Sequence, residues 1–223
     1  MLLDFPKHLL RAFCYQAIMD TQNASDYIVV SPEVLYFGTP VAVVSTLNPD
    51  GATNLAATSS FWALGDRFVI GQASVSQTAA NLLRTGECVL NFPSPAEWEY
   101  VERLAPTTGR ADLTDYHRAS GIGFVADKFT ASGFAPLNSE IVAPLRASKC
   151  LVQVEARVLT RHLGHDAPAL SCFELQKLRI HAHSRIVDRE KRIDIDAWSP
   201  LFYVFRHYFG KGARLGRSYR AKY

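Results

Sequence analysis

The chain has 223 residues, enough for one well-packed domain and short for two, because β-barrel domains of roughly 200–250 residues are ordinary. Hydrophobic residues make up 48% and charged residues 20%, a balance that excludes a disordered or fibrous chain, and a net charge of +3 is too small to imply nucleic acid as a partner. No apolar run approaches the roughly 20 residues that cross a bilayer, and Asp4, Pro6, Lys7, His8 and Arg11 interrupt any secretory pattern, so a cytoplasmic protein without membrane contact is expected.

Residues 8–20 place apolar side chains at helical spacing. They predict an amphipathic helix in an extension, residues 1–30, outside a single domain over 31–223. Pro40-Val-Ala-Val-Val-Ser-Thr-Leu47 is apolar and β-branched, as a buried strand should be. Asn48-Pro49-Asp50-Gly51 is a turn, and its hairpin partner runs from Ala52 toward Ala57. Arg67 to Ala73 reads as another strand. Residues 76–85 predict a short helix with Ser76 as N-cap and Gly86 as stop. Cys88 to Phe92 resumes as a strand. Helical segments follow around 95–104 and 112–119, then a loop-rich stretch over 121–146. Two long strands are expected at 150–160 and 172–187, separated by His162-Leu-Gly-His165.

Cys14, Cys88, Cys150 and Cys172 show no CxxC spacing and read as reduced thiols. The last stretch carries Arg206, Lys211, Arg214, Arg217, Arg220 and Lys222 with no acidic residue between them. It fits an ordered docking segment or a surface for a phosphate-rich partner. Hairpin-linked strands with few helices between them predict a mainly β chain with helices (α+β), closed as an antiparallel barrel rather than wound as a parallel sheet.

One stretch carries candidate chemistry. In Asn54-Leu-Ala-Ala-Thr58-Ser59-Ser60-Phe61-Trp62, three consecutive hydroxyl residues precede two large aromatics. Ser74-Val-Ser76-Gln77-Thr78-Ala-Ala-Asn81 then opens the helix. Hydroxyls and free N–H groups at a helix start suit a phosphate, and an adjoining aromatic can cover a flat ring. The pattern fits a phosphorylated heteroaromatic cofactor; it equally fits ordinary turn and capping chemistry. The common glycine-rich nucleotide loops are absent.

The order of motifs resembles the flavin reductase-like family of FMN-binding split β-barrels, of antiparallel Greek-key type. That family commonly reads Asn-x-Ala-Pro-x-Ser-Ser-Phe, then Lys-Asp-Thr-x-x-Asn, then Gly-Glu-Phe-x-x-Asn. Here Asn54 to Phe61, Thr78 to Asn81 and Gly86 to Asn91 follow the same sequence of signals. Asp127-Lys128-Phe129, Ser139 to Pro144, Pro200-Leu-Phe-Tyr and His207-Tyr208-Phe209 extend the likeness to about residues 35–220.

The resemblance implies an FMN protein that takes hydride from NAD(P)H, works as a homodimer and passes reduced flavin to a monooxygenase or another acceptor. It places Asn54 at the flavin ring edge, and Thr58, Ser59 and Ser60 at the ribityl and phosphate. Phe61 or Trp62 would flank the isoalloxazine. Ser74, Ser76, Gln77, Thr78 and Asn81 would complete the phosphate and ribityl contacts, and Lys128 would reach the flavin as a cation. Tyr208 or Phe209 would lie near the flavin of the partner subunit.

The chain departs from the family at Ser76-Gln77-Thr78, where a lysine is usual. The loss removes a charge-assisted phosphate contact, and Arg84 is the nearby candidate to replace it. No catalytic side chain is required, because the cofactor carries the redox step. His181 and His183, two apart on one strand face, are the candidates near the nicotinamide or flavin. A metal site is not expected. Two other functions stay open: a non-enzymatic carrier or store of FMN, and an enzyme like pyridoxamine-phosphate oxidase.

Overall fold

The computed structural model describes residues 27–165 and 169–218. The helix expected over 8–20 lies outside the described residues, as do Cys14, Arg220 and Lys222. The described residues from Tyr36 onward form one compact unit. In chain order the strands are β1 (Phe37–Pro40), β2 (Ala42–Leu47), β3 (Thr53–Thr58), β4 (Phe61–Leu64), β5 (Arg67–Ala73), β6 (Glu87–Phe92), β7 (Thr107–Thr108), β8 (Gly123–Phe124), β9 (Pro136–Leu137), β10 (Arg146–Ala147), β11 (Val152–Leu163), β12 (Leu170–Ala182), β13 (Phe202–Val204) and β14 (His207–Phe209). The helices are α1 (Gln77–Thr85), α2 (Trp98–Glu102), α3 (Asp115–Ala119) and α4 (Lys128–Ser132).

Seven strands form one antiparallel sheet in the order β3-β2-β6-β11-β12-β5-β4. That order demands curvature. The edge strands β3 and β4 lie at opposite ends of the sheet, yet only Ser59 and Ser60 separate them in sequence. In a flat sheet, six gaps of roughly 4.8 Å would part them by about 29 Å. Three Cα steps of about 3.8 Å reach only about 11 Å. The sheet therefore curls until its ends meet. The Thr58 hydroxyl donates to the Gly71 carbonyl at 3.3 Å, and the Gly71 amide donates to the Ser60 carbonyl at 2.8 Å. β3 and β4 do not pair with each other, so the barrel stays split. Glycine is required at the seam: a Cβ on Gly71 would lie 2.8 Å from the Ser60 Cβ.

The barrel fills from both sides. Ala42, Val44, Ile70, Leu90, Val154 and Phe173 form an inner core with Ala79 and Leu82 of α1. Val43 and Leu55 face the other way, onto Val101, Leu104, Phe134 and Leu201. β2 and β6 are thus covered on both faces, which is why they read as near-continuous apolar runs instead of alternating ones. Buried Asn91 bolts the second layer to the sheet: its Nδ2 donates to the Val43 carbonyl (2.8 Å), and its Oδ1 accepts from the Ala147 amide (2.8 Å).

Several elements differ from the sequence reading. β4, β13 and β14 are additional short strands. α4 is a single turn inside the stretch read as loop, capped by Asp127 and stopped by Gly133 at φ 86°. β12 ends at Ala182, and Ser184–Ile186 forms a 3-10 turn. The basic tail is docked, since Lys211 donates to the Asp196 carbonyl (3.2 Å) and Arg214 pairs with the Asp196 carboxylate (2.6 Å).

Candidate functional site

The barrel seam and the start of α1 bring most of the predicted residues together. Ser76 caps α1 by accepting from the Ala79 amide at 3.1 Å, and Gly86 at φ 68° ends it. Capping uses one orphan donor of the first turn and leaves others facing outward. Thr78 and Asn81 point inward and are buried. Asn54, 1% exposed on β3, donates from Nδ2 to the Thr78 hydroxyl at 3.2 Å, while its Oδ1 is buried with no partner among the described residues. The chain at Gly109 passes directly over this amide, where a Cβ would lie 2.4 Å from Asn54 Oδ1.

Around that amide the other hydroxyls divide. Ser60 pairs with the Tyr36 hydroxyl at 3.1 Å, and Ser74 with the Ser171 hydroxyl at 2.7 Å. Thr58 closes the seam. Ser59 is half-buried at the bend between β3 and β4. Lys128 is 2% exposed, with Nζ donating to the Thr107 hydroxyl, and burial lowers its pKa from 10.5 to about 8.

Other candidates are held by the fold itself. Asn81 is a strut: its Nδ2 donates to the Thr46 hydroxyl (3.1 Å) and Asn48 Oδ1 (2.8 Å), and its Oδ1 accepts from Gln77 Nε2 (2.8 Å). Phe61 packs inward against Phe68 and Phe92, with ring centroids 5.5 and 5.3 Å away. Trp62 is 53% exposed, so of the two aromatics it is the one with an open face. Arg84 donates to the Leu47 carbonyl at the far end of α1 from the helix start, so it does not replace the absent lysine there. Tyr208 donates to Glu102 at 2.9 Å and packs on Tyr203, whereas Phe209 is exposed.

The histidines sit elsewhere. His181 Nε2 lies 2.6 Å from Glu155 Oε1. Glu155 is fully buried, and burial alone would raise its pKa; the amides of Glu140, Ile141 and Val142 together with His181 outweigh that and hold it at about 2. The carboxylate is ionised at neutral pH, so Nε2 of His181 is the donor. His183 lies beyond the end of β12, where its Nδ1 accepts from the Arg185 amide at 3.2 Å.

Sequence reasoning missed Arg110. Its Nη1 donates to the Val75 carbonyl at 2.9 Å, beside the start of α1, and its Nε is buried without an acceptor among the described residues. Arg161 was missed as well; it donates to Ser171, the hydroxyl that Ser74 shares, at 3.1 Å. Neither lies in a motif. The only signal for Arg110 was a cation next to Gly109, whose contact with Asn54 depends on the fold.

Residues 34–212 match the family model described as a flavin reductase like domain. The chain is 36% identical over 201 residues to the protein YdfE of Bacillus subtilis (strain 168), covering 90% of this chain and 97% of that one. Among solved structures it is similar to flavoredoxin of Desulfovibrio vulgaris (Miyazaki F), with TM-score 0.72, 16% identity, and 87% and 98% of the two chains covered. It is also similar to nitrilotriacetate monooxygenase component B from Bacillus cereus, with TM-score 0.66, 16% identity, and 97% and 98% covered. Those likenesses carry the fold, and the split barrel seen here agrees with them. With four-fifths of its length matched by the family model, the chain belongs to the flavin reductase-like family.

Proposed function

We propose that this protein binds FMN in the cradle between the β3–β4 bend and the start of α1, and reduces it with NAD(P)H. The observation that carries the reading is the Asn54 amide. A buried acceptor without a partner is costly, on the order of 1–3 kcal/mol, and a bound donor such as a flavin ring N–H removes that cost. The surroundings fit the rest of the cofactor. Ser59, Ser76 and the first-turn amides of α1 suit the phosphate, Arg110 supplies the cation that Ser76 does not, and Trp62 offers a face to the ring.

When bound, FMN supplies the hydride-accepting chemistry. The residues position it and balance charge. Lys128, with a pKa near 8, is a cation in most molecules at neutral pH and favours negative charge growing on a ring held at Asn54. The resemblance to a monooxygenase component B supports a role in supplying reduced flavin to a partner enzyme. The family supports a homodimer, with exposed Phe209 as the late aromatic directed to the partner's flavin, in the cytoplasm.

The test begins with the absorbance spectrum of the purified chain and its thermal stability with and without FMN. Bound-flavin absorbance or FMN-dependent stabilisation supports the cradle, and the absence of both refutes it. Arg110→Met should weaken FMN binding about tenfold or more, the scale of one charge-assisted phosphate contact. Steady-state NADH and NADPH oxidation with added FMN then separates a reductase from a carrier: FMN binding without turnover favours the carrier.

A further inference from the structure

A second cleft, of about 630 Å³, opens where β10, the start of β11 and the end of β12 come together. Arg146, Ser148, Lys149, Gln153, His181 and His183 supply its polar lining, and none of its lining residues is a carboxylate. None belongs to the flavin cradle.

Three features mark this cleft. First, the Arg146 guanidinium is oriented by neutral oxygens alone. Its Nε and Nη2 donate to the Asn138 carbonyl (3.0 and 2.9 Å) and its Nη1 to Gln153 Oε1 (2.8 Å). Gln153 is in turn fixed by donating to the carbonyls of Ala147 (2.7 Å) and Cys150 (3.0 Å). The cation is thus held in place with its charge unbalanced and two of its five N–H groups unused. Second, Lys149 adopts φ 69°, a left-handed conformation that favours glycine. A strained backbone is here combined with a second cation, whose amine lies 5.0 Å from the centre of the Tyr100 ring. Third, His183 accepts at Nδ1 from the Arg185 amide, so its Nε2 carries a proton available for donation.

The acids nearest this wall, Glu155 and Glu140, both lie against His181, at 2.6 and 3.8 Å, and each has further partners away from Arg146 and Lys149. Glu155 takes three backbone amides and His181, and Glu140 pairs with Arg179. Neither Arg146 nor Lys149 makes an ion pair among the described residues, so the cleft keeps a net positive charge. An oriented guanidinium, an ammonium and an imidazole N–H around one cavity are the donor set of an oxyanion site.

We infer that this cleft binds a small oxyanion, the phosphate or carboxylate group of a metabolite, at Arg146, Lys149 and His183. The site is independent of the flavin cradle. Calorimetric titration of the full chain with inorganic phosphate, and separately with malonate, tests it. Saturable binding of phosphate alone assigns a phosphorylated ligand, and binding of malonate alone assigns a carboxylate.

Lys149→Gly is the informative variant, because the left-handed backbone suits glycine and the fold should hold. It should weaken binding of the effective probe roughly tenfold, on the scale of one charge-assisted contact. Arg146→Met should weaken it at least as much, and saturating FMN, which fills the cradle's own phosphate subsite, should leave it in place. If neither probe binds, or Lys149→Gly binds as well as the native chain, the inference is wrong. Binding abolished by saturating FMN would also overturn it, by placing the anion in the flavin cradle.

Discussion

Glu155 gives a sharp prediction, because one buried carboxylate holds an entire turn. Its two oxygens accept the amides of Glu140 (3.0 Å), Ile141 (2.6 Å) and Val142 (2.9 Å), and His181 (2.6 Å). That turn leads to Leu145, whose amide donates to the Thr53 hydroxyl at 3.1 Å, one residue before Asn54. Glu155→Gln keeps the shape but turns an NH₂ group toward backbone donors. The pKa falls from 4.5 to about 2, a difference of about 2.5 units, worth about 3 kcal/mol at 1.36 kcal/mol per unit.

The sign follows from linkage. A carboxylate with a depressed folded-state pKa stabilises fully above its unfolded value, and that stabilisation is lost as pH falls through the folded value. The native chain should therefore exceed Glu155→Gln by about 3 kcal/mol at pH 7, and by about half that near pH 3. The neighbouring Arg179–Glu140 pair is present in both proteins and largely cancels in the difference. Urea unfolding at pH 7, 4.5 and 3 reads the gap. A gap that stays constant across these pH values would refute the assigned role of the carboxylate.

Other positions test other parts of the argument. Gly71→Ala should lower stability by about 1–3 kcal/mol in urea unfolding, because its Cβ meets Ser60 at the seam; if FMN binds there, affinity should fall as well. Lys191→Gly should stabilise by about 1 kcal/mol in the same assay, because Lys191 is an exposed turn residue held at φ 61°. For Lys128 the folded pKa lies below the unfolded one, so the unfolded chain binds more protons between pH 8 and 10.5 and stability rises with pH across that window, by up to about 3 kcal/mol. Lys128→Met should abolish that rise in a series of thermal melts.

What the sequence revealed depended on whether the signal was local. β5 was legible to the residue, and α1 nearly so, because a β-branched apolar run, the cap at Ser76, the stop at Gly86 and the helical spacing of buried residues are each written within one element. The β13–β14 hairpin was hidden, since two-residue turns of its kind ordinarily carry Asn-Gly and this one carries Phe-Arg. α4 was hidden because a single turn has no periodicity to detect.

The same division runs through the site. Asn54, Ser59, Ser76 and Thr78 sit in motifs with a recognisable order, and the fold gathers them around one seam. Arg84 looked like the replacement for the missing lysine because sequence distance stood in for spatial distance. In the proposed reading that place goes to Arg110, which is 26 residues further along the chain, yet its guanidinium reaches the carbonyl of Val75. A curled sheet makes such substitutions easy. Its edges come from different parts of the chain, so a cation lost from one segment can be supplied by whichever other segment the curl brings to the same rim.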